Sequence, residues 1–143
     1  MKKLKGLIIM LLISLCTFGF TACQSDSGNV NTNKDTTTNT LGYEQITQVE
    51  AKEIMESGVE YILIDARTDE EFASGHIEGA IPIPEYEIAS RAEQELSDKD
   101  ALILVYCRSG RRSKIASEEL ANLGYTNVKE FGGIIDWQYE IVK

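Results

Sequence analysis

The 143-residue sequence has few of the residues that form disulfide bonds and metal sites. It has three cysteines, one histidine, one tryptophan and two prolines. One histidine and so few cysteines do not make a ligand set, so we expect no metal site. Basic residues are also scarce, 14 against 23 acidic ones, which gives a net charge of −9. Because an anionic body does not attract phosphate backbones, we expect no nucleic-acid partner.

In other respects the composition is that of an ordinary globular protein, with 43% hydrophobic and 26% charged residues. The length allows one domain and not two. No segment of the sequence repeats internally. We therefore expect a single folded unit that is a monomer.

The beginning of the sequence has the pattern of an export signal. Three lysines in MKKLKG precede LIIMLLISLCTFGF, an uncharged run of 14 residues that is too short to span a bilayer comfortably. The following FTAC (20–23) resembles the lipobox of bacterial lipoproteins, with Phe20 where that family usually has leucine. The resemblance implies cleavage before Cys23 and a diacylglyceryl group on its sulfur. The alternatives are a plain signal cut elsewhere and an uncleaved anchor.

Residues 1–22 are therefore predicted to be a lipoprotein signal peptide, and 23–41 the lipidated cysteine with a flexible polar linker. The linker is rich in Asn, Thr, Ser and Asp and cannot bury enough apolar surface to offset the entropy of ordering. Loss of the three signal lysines lowers the basic count to 11 and makes the mature net charge −12. We expect an exported protein, held by its lipid on the extracytoplasmic face of a bacterial cell membrane.

From residue 42 to 143 the pattern is that of one α/β domain, with short strands alternating with helices. Thr47 with Glu50 and Thr68 with Glu71 each form a capping box, which predicts a helix start. Continuous apolar runs predict strands that are buried on both faces. The predicted strands are 60–66, 80–84, 101–107 and 127–131. The predicted helices are 48–57, a short one that Gly75 ends, 86–97, 113–124 with Ile115 on its apolar side, and a closing helix in 132–142.

Cys107 would be the one free thiol of the mature protein, and it stands where the strongest predicted strand stops. Ligands of parallel α/β sheets bind beyond the carboxyl ends of strands. The loop CRSGRR places Arg108, Arg111 and Arg112 within five positions, and Gly110 supplies the freedom for a turn. Loop amides, a helix N-terminus and nearby cations all favour a thiolate over a thiol. The alternative is a buried strand-end cysteine beside a solvated basic loop.

Four motifs in order resemble the rhodanese-like sulfurtransferases, over 43–143 and in a single-domain form. They are LIDAR (63–67), GHIEGAIPIP (75–84), VYCRSGRRS (105–113) and GGIIDW (132–137). The resemblance implies a five-stranded parallel sheet with helices on both faces. It also implies a sulfurtransferase that moves a sulfane sulfur from a thiosulfate-like anionic donor to a thiol or cyanide-like acceptor. Cys107 would carry that sulfur as a persulfide, and no cofactor is expected.

The same resemblance assigns roles around the cysteine. Arg67 belongs near Cys107, and Asp65 organises the neighbouring loop, although a purely structural ion pair at a strand end is an equal alternative. The expected donor-binding residues are Arg67, Arg108, Ser109, Gly110, Arg111 and Arg112, with Asp65 and Ser113 supporting them. His76 is expected to be structural, and Trp137 to be a core or lid residue.

The sequence bears on two rival functions. Cysteine phosphatases need C-x5-R, but position 113 is Ser113 and the loop has the six-residue length of sulfurtransferases. A phosphatase or an arsenate reductase is therefore disfavoured. The alternative that stays open is a non-enzymatic module of the same fold, which would bind a partner or sense oxidants at the membrane surface.

Overall fold

The computed structural model describes residues 42–143 of the chain. The predicted signal peptide (1–22), the lipidation site Cys23 and the linker (23–41) lie outside the described residues. The strands are β1 (Glu44–Gln45), β2 (Ile62–Asp65), β3 (Ala80–Pro82), β4 (Ile103–Cys107) and β5 (Val128–Gly133). The helices are α1 (Gln48–Glu56), α2 (Asp69–Ser74), α3 (Ile88–Glu95) and α4 (Arg111–Asn122), with 3₁₀ turns at Glu85–Glu87 and Ile134–Asp136.

The five strands form one parallel sheet in the order β1-β5-β4-β2-β3, which confirms the predicted fold class. In the centre, β4 pairs with β2 through Leu104 opposite Leu63, and with β5 through Leu104 opposite Lys129. All five residues of β4 are buried. The carboxyl end of β4, where Cys107 lies, is therefore at the middle of one sheet edge.

Helices cover both faces of the sheet. On one face, α3 and α4 pack through Ile88, Ala92, Ala116 and Leu120 against a buried cluster that includes Val105. On the other face, α1 packs through a different cluster. Its members are Ala51, Leu63, Ile77, Leu104, Tyr106 and Phe131. Burial of both faces explains why the central strands have continuous rather than alternating apolar residues.

Both predicted capping boxes are present and start the helices that they predict. The Thr47 hydroxyl accepts from the Glu50 N–H at 3.2 Å, and the Glu50 carboxylate accepts from the Thr47 N–H at 2.7 Å. Thr68 and Glu71 form the same pair of bonds at the start of α2. Each box satisfies two backbone donors that a helix N-terminus leaves free.

The predicted closing helix is wrong. Only Ile134–Asp136 coil, as a 3₁₀ turn, and the backbone at Trp137 is extended. Beyond it, the Val142 N–H donates to the His76 carbonyl at 2.8 Å, and the His76 N–H donates to the Val142 carbonyl at 2.9 Å. This antiparallel bridge satisfies backbone groups that the helix was expected to satisfy internally.

Three smaller differences concern α3, α4 and β1. The predicted helix 86–97 is divided into a 3₁₀ turn and α3. Helix α4 begins at Arg111, because Gly110 caps it with a left-handed φ of 91°, and Ile115 is 41% exposed instead of packed. Strand β1 was not predicted from the residues, since it has only two residues and both are exposed. No helix in 42–143 has the length and hydrophobicity to cross a membrane.

Candidate active site

Cys107 is the last residue of β4 and lies opposite Gly133 of β5. The pairing register of these strands shifts between Val105 and Cys107. Such an irregularity bends a strand and changes the direction of a side chain near a site. The thiol is free and only 1% exposed. The sulfur is therefore almost closed off from solvent.

The loop turns directly into α4 and directs a backbone donor at the sulfur. The Gly110 N–H donates to Cys107 Sγ at 3.2 Å. Gly110 is also the N-cap of α4, so the positive end of that helix points toward the same loop. Hydrogen bonds to a charged sulfur stabilise the anion more than the neutral form. This arrangement can hold a thiolate or another anion on Cys107.

The end of β5 packs against the other side of the loop. A Cβ on Gly133 would lie 2.3 Å from the Arg108 carbonyl oxygen and 2.5 Å from the Ser109 Cα, so no side chain fits there. The Ile135 N–H donates to the same Arg108 carbonyl at 3.2 Å. Gly133 of the closing GG motif therefore allows the close approach of two backbone segments.

Ser113 is fully buried in the first turn of α4 and contacts a residue that the sequence did not single out. Its hydroxyl donates to Glu130 Oε1 at 2.6 Å and lies 3.1 Å from the Gly110 carbonyl oxygen. Glu130, on β5, is 3% exposed. A charged residue inside a strand of a buried sheet is the signal that could have identified it.

Arg67 and Asp65 form a buried ion pair at the carboxyl end of β2. The Nε and Nη2 atoms of Arg67 lie 3.0 and 2.6 Å from Asp65 Oδ2, and Nη2 also donates to the Gly75 carbonyl at 2.7 Å. Burial alone would lower the pKa of Arg67, but the hydrogen bonds and charge of Asp65 outweigh it and raise that pKa. The structure thus places this ion pair at the end of β2, the strand that pairs with β4.

Arg112 is held in a similar way by Glu71 of α2. Its Nη1 and Nη2 atoms donate to the two Glu71 carboxylate oxygens at 2.6 and 2.8 Å. The Arg112 hydrogen bonds are the main cause that lowers the pKa of Glu71 to about 2. The pKa of Arg112 is raised, first by Glu71 and further by the charges of Cys107 and Asp65. Arg112 is therefore held in place by a carboxylate from another helix.

The remaining loop side chains point outward. Arg108, Ser109 and Arg111 are exposed, and neither of these arginines forms an ion pair with another residue of 42–143. These exposed side chains belong to the segment that follows the buried Cys107. The structure therefore divides the predicted donor-binding arginines into two bound to carboxylates and two that face solvent.

The rings of His76 and Trp137 each pack against a phenylalanine. The His76 ring stacks on Phe72 with centroids 3.8 Å apart, and its Nδ1 lies 3.1 Å from the Phe72 carbonyl oxygen. Trp137 packs at an angle on Phe131, in the cluster beneath α1. Within 42–143 no group of three His, Cys, Asp or Glu side chains could hold a metal ion.

Comparison with known proteins gives a consistent family match. A sequence model of the Rhodanese-like domain matches residues 47–140. Thiosulfate sulfurtransferase PspE of Escherichia coli (strain K12) is 41% identical over 73 residues, which are 51% of this chain and 70% of that protein. Putative sulfurtransferase YtwF of Bacillus subtilis (strain 168) is 36% identical over 96 residues, 67% of this chain and 91% of that protein. A solved rhodanese with anions from E. coli superposes with a TM-score of 0.55 at 38% identity, covering 59% of this chain and 99% of that one.

Proposed function

Since the chain belongs to the Rhodanese-like domain family, we propose that it is a sulfurtransferase that carries sulfur as a persulfide on Cys107. Sulfur transfer in general is supported by the sulfurtransferases among its relatives. The observation that carries the mechanism is the Gly110 N–H directed at Cys107 Sγ, 3.2 Å away, at the start of α4. A persulfide anion needs such donors around it.

In the first step the Cys107 thiolate attacks the outer sulfur of thiosulfate or a similar anionic donor. A sulfur–sulfur bond forms to Cys107 while the donor's own sulfur–sulfur bond breaks. Sulfite leaves with that electron pair, and the enzyme holds a terminal persulfide anion. In the second step cyanide or a thiolate attacks the terminal sulfur, and the Cys107 thiolate is released. The two steps balance without an external oxidant or reductant.

We assign the arginines two different tasks in this reaction. Arg108 and Arg111, exposed and without a carboxylate partner in the described region, attract the anionic donor and the departing sulfite, with Ser109 beside them. Arg67 and Arg112 are engaged by Asp65 and Glu71. They fix the frame around the loop and add positive potential at the sulfur.

The test is the intact mass of residues 42–143, in which Cys107 is the only cysteine. We expect thiosulfate to add the mass of one sulfur atom and cyanide to remove it. The matched control, Cys107→Ser, should gain nothing. A folded protein with a free thiol and no mass gain would contradict the proposal. It would favour instead the binding or redox-sensing module. The near-complete burial of Cys107 supports the binding form of that alternative, because a redox-sensing thiol has to be accessible.

We also propose that Cys23 anchors the protein to the extracytoplasmic face of a bacterial membrane, on the strength of the FTAC motif and the apolar run before it. Cells fed radioactive palmitate should label the full chain and not Cys23→Ala. Cys16→Ala is the matched control, since Cys16 lies inside the predicted signal peptide, and it should keep its label. Equal labelling of the full chain and Cys23→Ala would refute the anchor.

A further inference from the structure

Glu130 is a buried carboxylate directly beneath the cysteine loop. Its side chain forms no ion pair with any described lysine or arginine, although the residue is only 3% exposed. It is satisfied through one oxygen, Oε1, which accepts from Ser113 Oγ at 2.6 Å and from the Gly132 N–H at 2.8 Å. Burial of a carboxyl group is costly unless such hydrogen bonds compensate for lost water.

The bond from Ser113 joins β5 to α4, and the bond from Gly132 fixes the Glu130 side chain within β5. Ser113 belongs to the first turn of α4, and its Oγ lies 3.1 Å from the Gly110 carbonyl oxygen. Gly132 precedes Gly133, against which the backbone of Arg108 packs. A Cβ placed on Gly110 would lie 3.9 Å from Glu130 Oε1, so the loop passes directly over the carboxyl oxygen.

We propose that Glu130 is a positioning residue that holds the Gly110 N–H toward Cys107 Sγ. It touches neither the sulfur nor the donor and acts through Ser113 and Gly132. This inference deepens the proposed function, because the amide that it positions is the one that stabilises the thiolate and the persulfide. Loss of the Oε1 acceptor frees the first turn of α4 and the loop before it, and the thiolate then loses a hydrogen bond.

The decisive pair of variants is Glu130→Gln and Glu130→Met. Both remove the carboxylate charge and have nearly the same length, but only glutamine keeps an oxygen that can accept from Ser113 and Gly132. The other charged groups around the sulfur, which are Asp65, Arg67, Glu71, Arg108, Arg111 and Arg112, are unchanged in both. A difference between the two variants therefore reports the hydrogen bonds and not the charge.

The first readout is alkylation of the full chain by iodoacetamide across pH, followed on the tryptic peptide 100–108 that contains Cys107. We expect the pH of half-maximal rate to be higher in Glu130→Met than in Glu130→Gln by at least about half a pH unit, or roughly threefold in thiolate fraction at neutral pH. Equal midpoints in the two folded variants would overturn the proposal. No sulfur donor is involved, so this result is independent of the proposed activity.

The second readout is sulfur transfer from thiosulfate to cyanide. Glu130→Met should lower kcat by about fivefold or more and leave KM within about twofold, while Glu130→Gln restores kcat. A rise in KM alone would contradict a positioning role. Failure of the wild-type chain to form a persulfide would refute the proposed function and leave the alkylation result standing. If Glu130→Met does not fold by circular dichroism, Ser113→Ala takes its place, and a wild-type midpoint in that variant would overturn the proposal.

Discussion

The arginines at and around the cysteine loop are of two kinds. Two of them are held by carboxylates, and two have no carboxylate partner among the described residues. Arg67 lies on Asp65 and Arg112 on Glu71, whereas Arg108 and Arg111 face solvent. A guanidinium that is fixed by two hydrogen bonds keeps its charge in one place. The held arginines therefore shape the site, and the others remain available for an anion from solution.

Glu71→Gln should lower the free energy of unfolding at neutral pH by about 1 kcal/mol, since the Glu71–Arg112 pair is three-quarters buried but still partly screened. The pKa of Glu71 falls from an ordinary 4.5 to about 2 in the folded chain. The ionised Glu71 therefore contributes its full stabilisation above pH 4.5. That stabilisation is lost as the pH falls toward 2, the pKa in the folded chain. Urea unfolding from pH 7 to pH 2 should show the two proteins converging.

Glu53→Gln is the matched control, because Glu53 is exposed on α1 and has no cationic partner among the described residues. Its stability should follow the wild-type curve at every pH. A constant gap between Glu71→Gln and wild type down to pH 2 would refute the ionic origin of the effect.

Among the elements, the end of β5 limits what the cysteine loop can tolerate. Gly133 has an ordinary extended backbone with φ −125° and ψ 145°, so any residue could adopt its conformation. The glycine is needed because the Arg108 carbonyl lies where a Cβ would be. In Gly133→Ala the loop must therefore move away from β5.

We expect Gly133→Ala to lose about 2 kcal/mol of stability through overpacking and to slow persulfide formation at least about tenfold. The measurements are urea unfolding and the rate of mass gain with thiosulfate. Gly58→Ala is the control, because Gly58 has φ 81° but nothing within 4 Å of the added carbon. It should lose about 1 kcal/mol through backbone strain and form the persulfide at the wild-type rate. Equal rates in all three proteins would contradict the steric argument.

The elements that the sequence predicted well are those with a local signal. Capping boxes marked α1 and α2, and continuous apolar runs marked β2 and β4. Strand β1 has no such signal, since its two exposed residues are defined by pairing with Lys129 and Glu130. The prediction of a closing helix was wrong because Val142 pairs with His76, which is far away in the chain. The local pattern of residues 137–142 contains no sign of that pairing.

The same distinction applies to the candidate site. The position of Cys107 at a strand end, with a glycine turn and arginines after it, could be predicted from adjacent residues. The partners of Arg112 and Ser113 could not, because Glu71 is 41 residues away and Glu130 is 17 residues away. Those contacts exist only once α2 and β5 have been brought to the loop by the sheet.

At the scale of the whole molecule, the net charge is negative, whereas the cysteine loop is positively charged. The chain has a net charge of −9, yet Arg108 and Arg111 present positive charge at the cysteine. An anionic donor is therefore repelled at long range and attracted close to the loop. Salt screens both effects, with a Debye length of about 10 Å at 0.1 M.

We expect kcat/KM for thiosulfate to fall about threefold as the ionic strength rises from roughly 10 to 200 mM, because the arginines dominate at short range. In Arg108→Gln/Arg111→Gln the two unpaired positive charges are lost and the long-range repulsion dominates, so the slope should change sign. Alkylation by neutral iodoacetamide should vary little with salt in both proteins and serves as the control. A double variant with the wild-type slope would contradict our assignment of these arginines.

The sheet order has a consequence for when the chain can fold. Strand β1 and the central strand β4 both use β5 as a partner, and Val142 closes the bridge to His76. The first and last parts of the domain are thus mutually dependent, and contacts between distant residues form slowly. While its last segment is still being synthesised, the nascent polypeptide lacks a complete sheet. Strand β5 separates β1 from β4 in the sheet, so the sheet can be completed only after β5 has been synthesised.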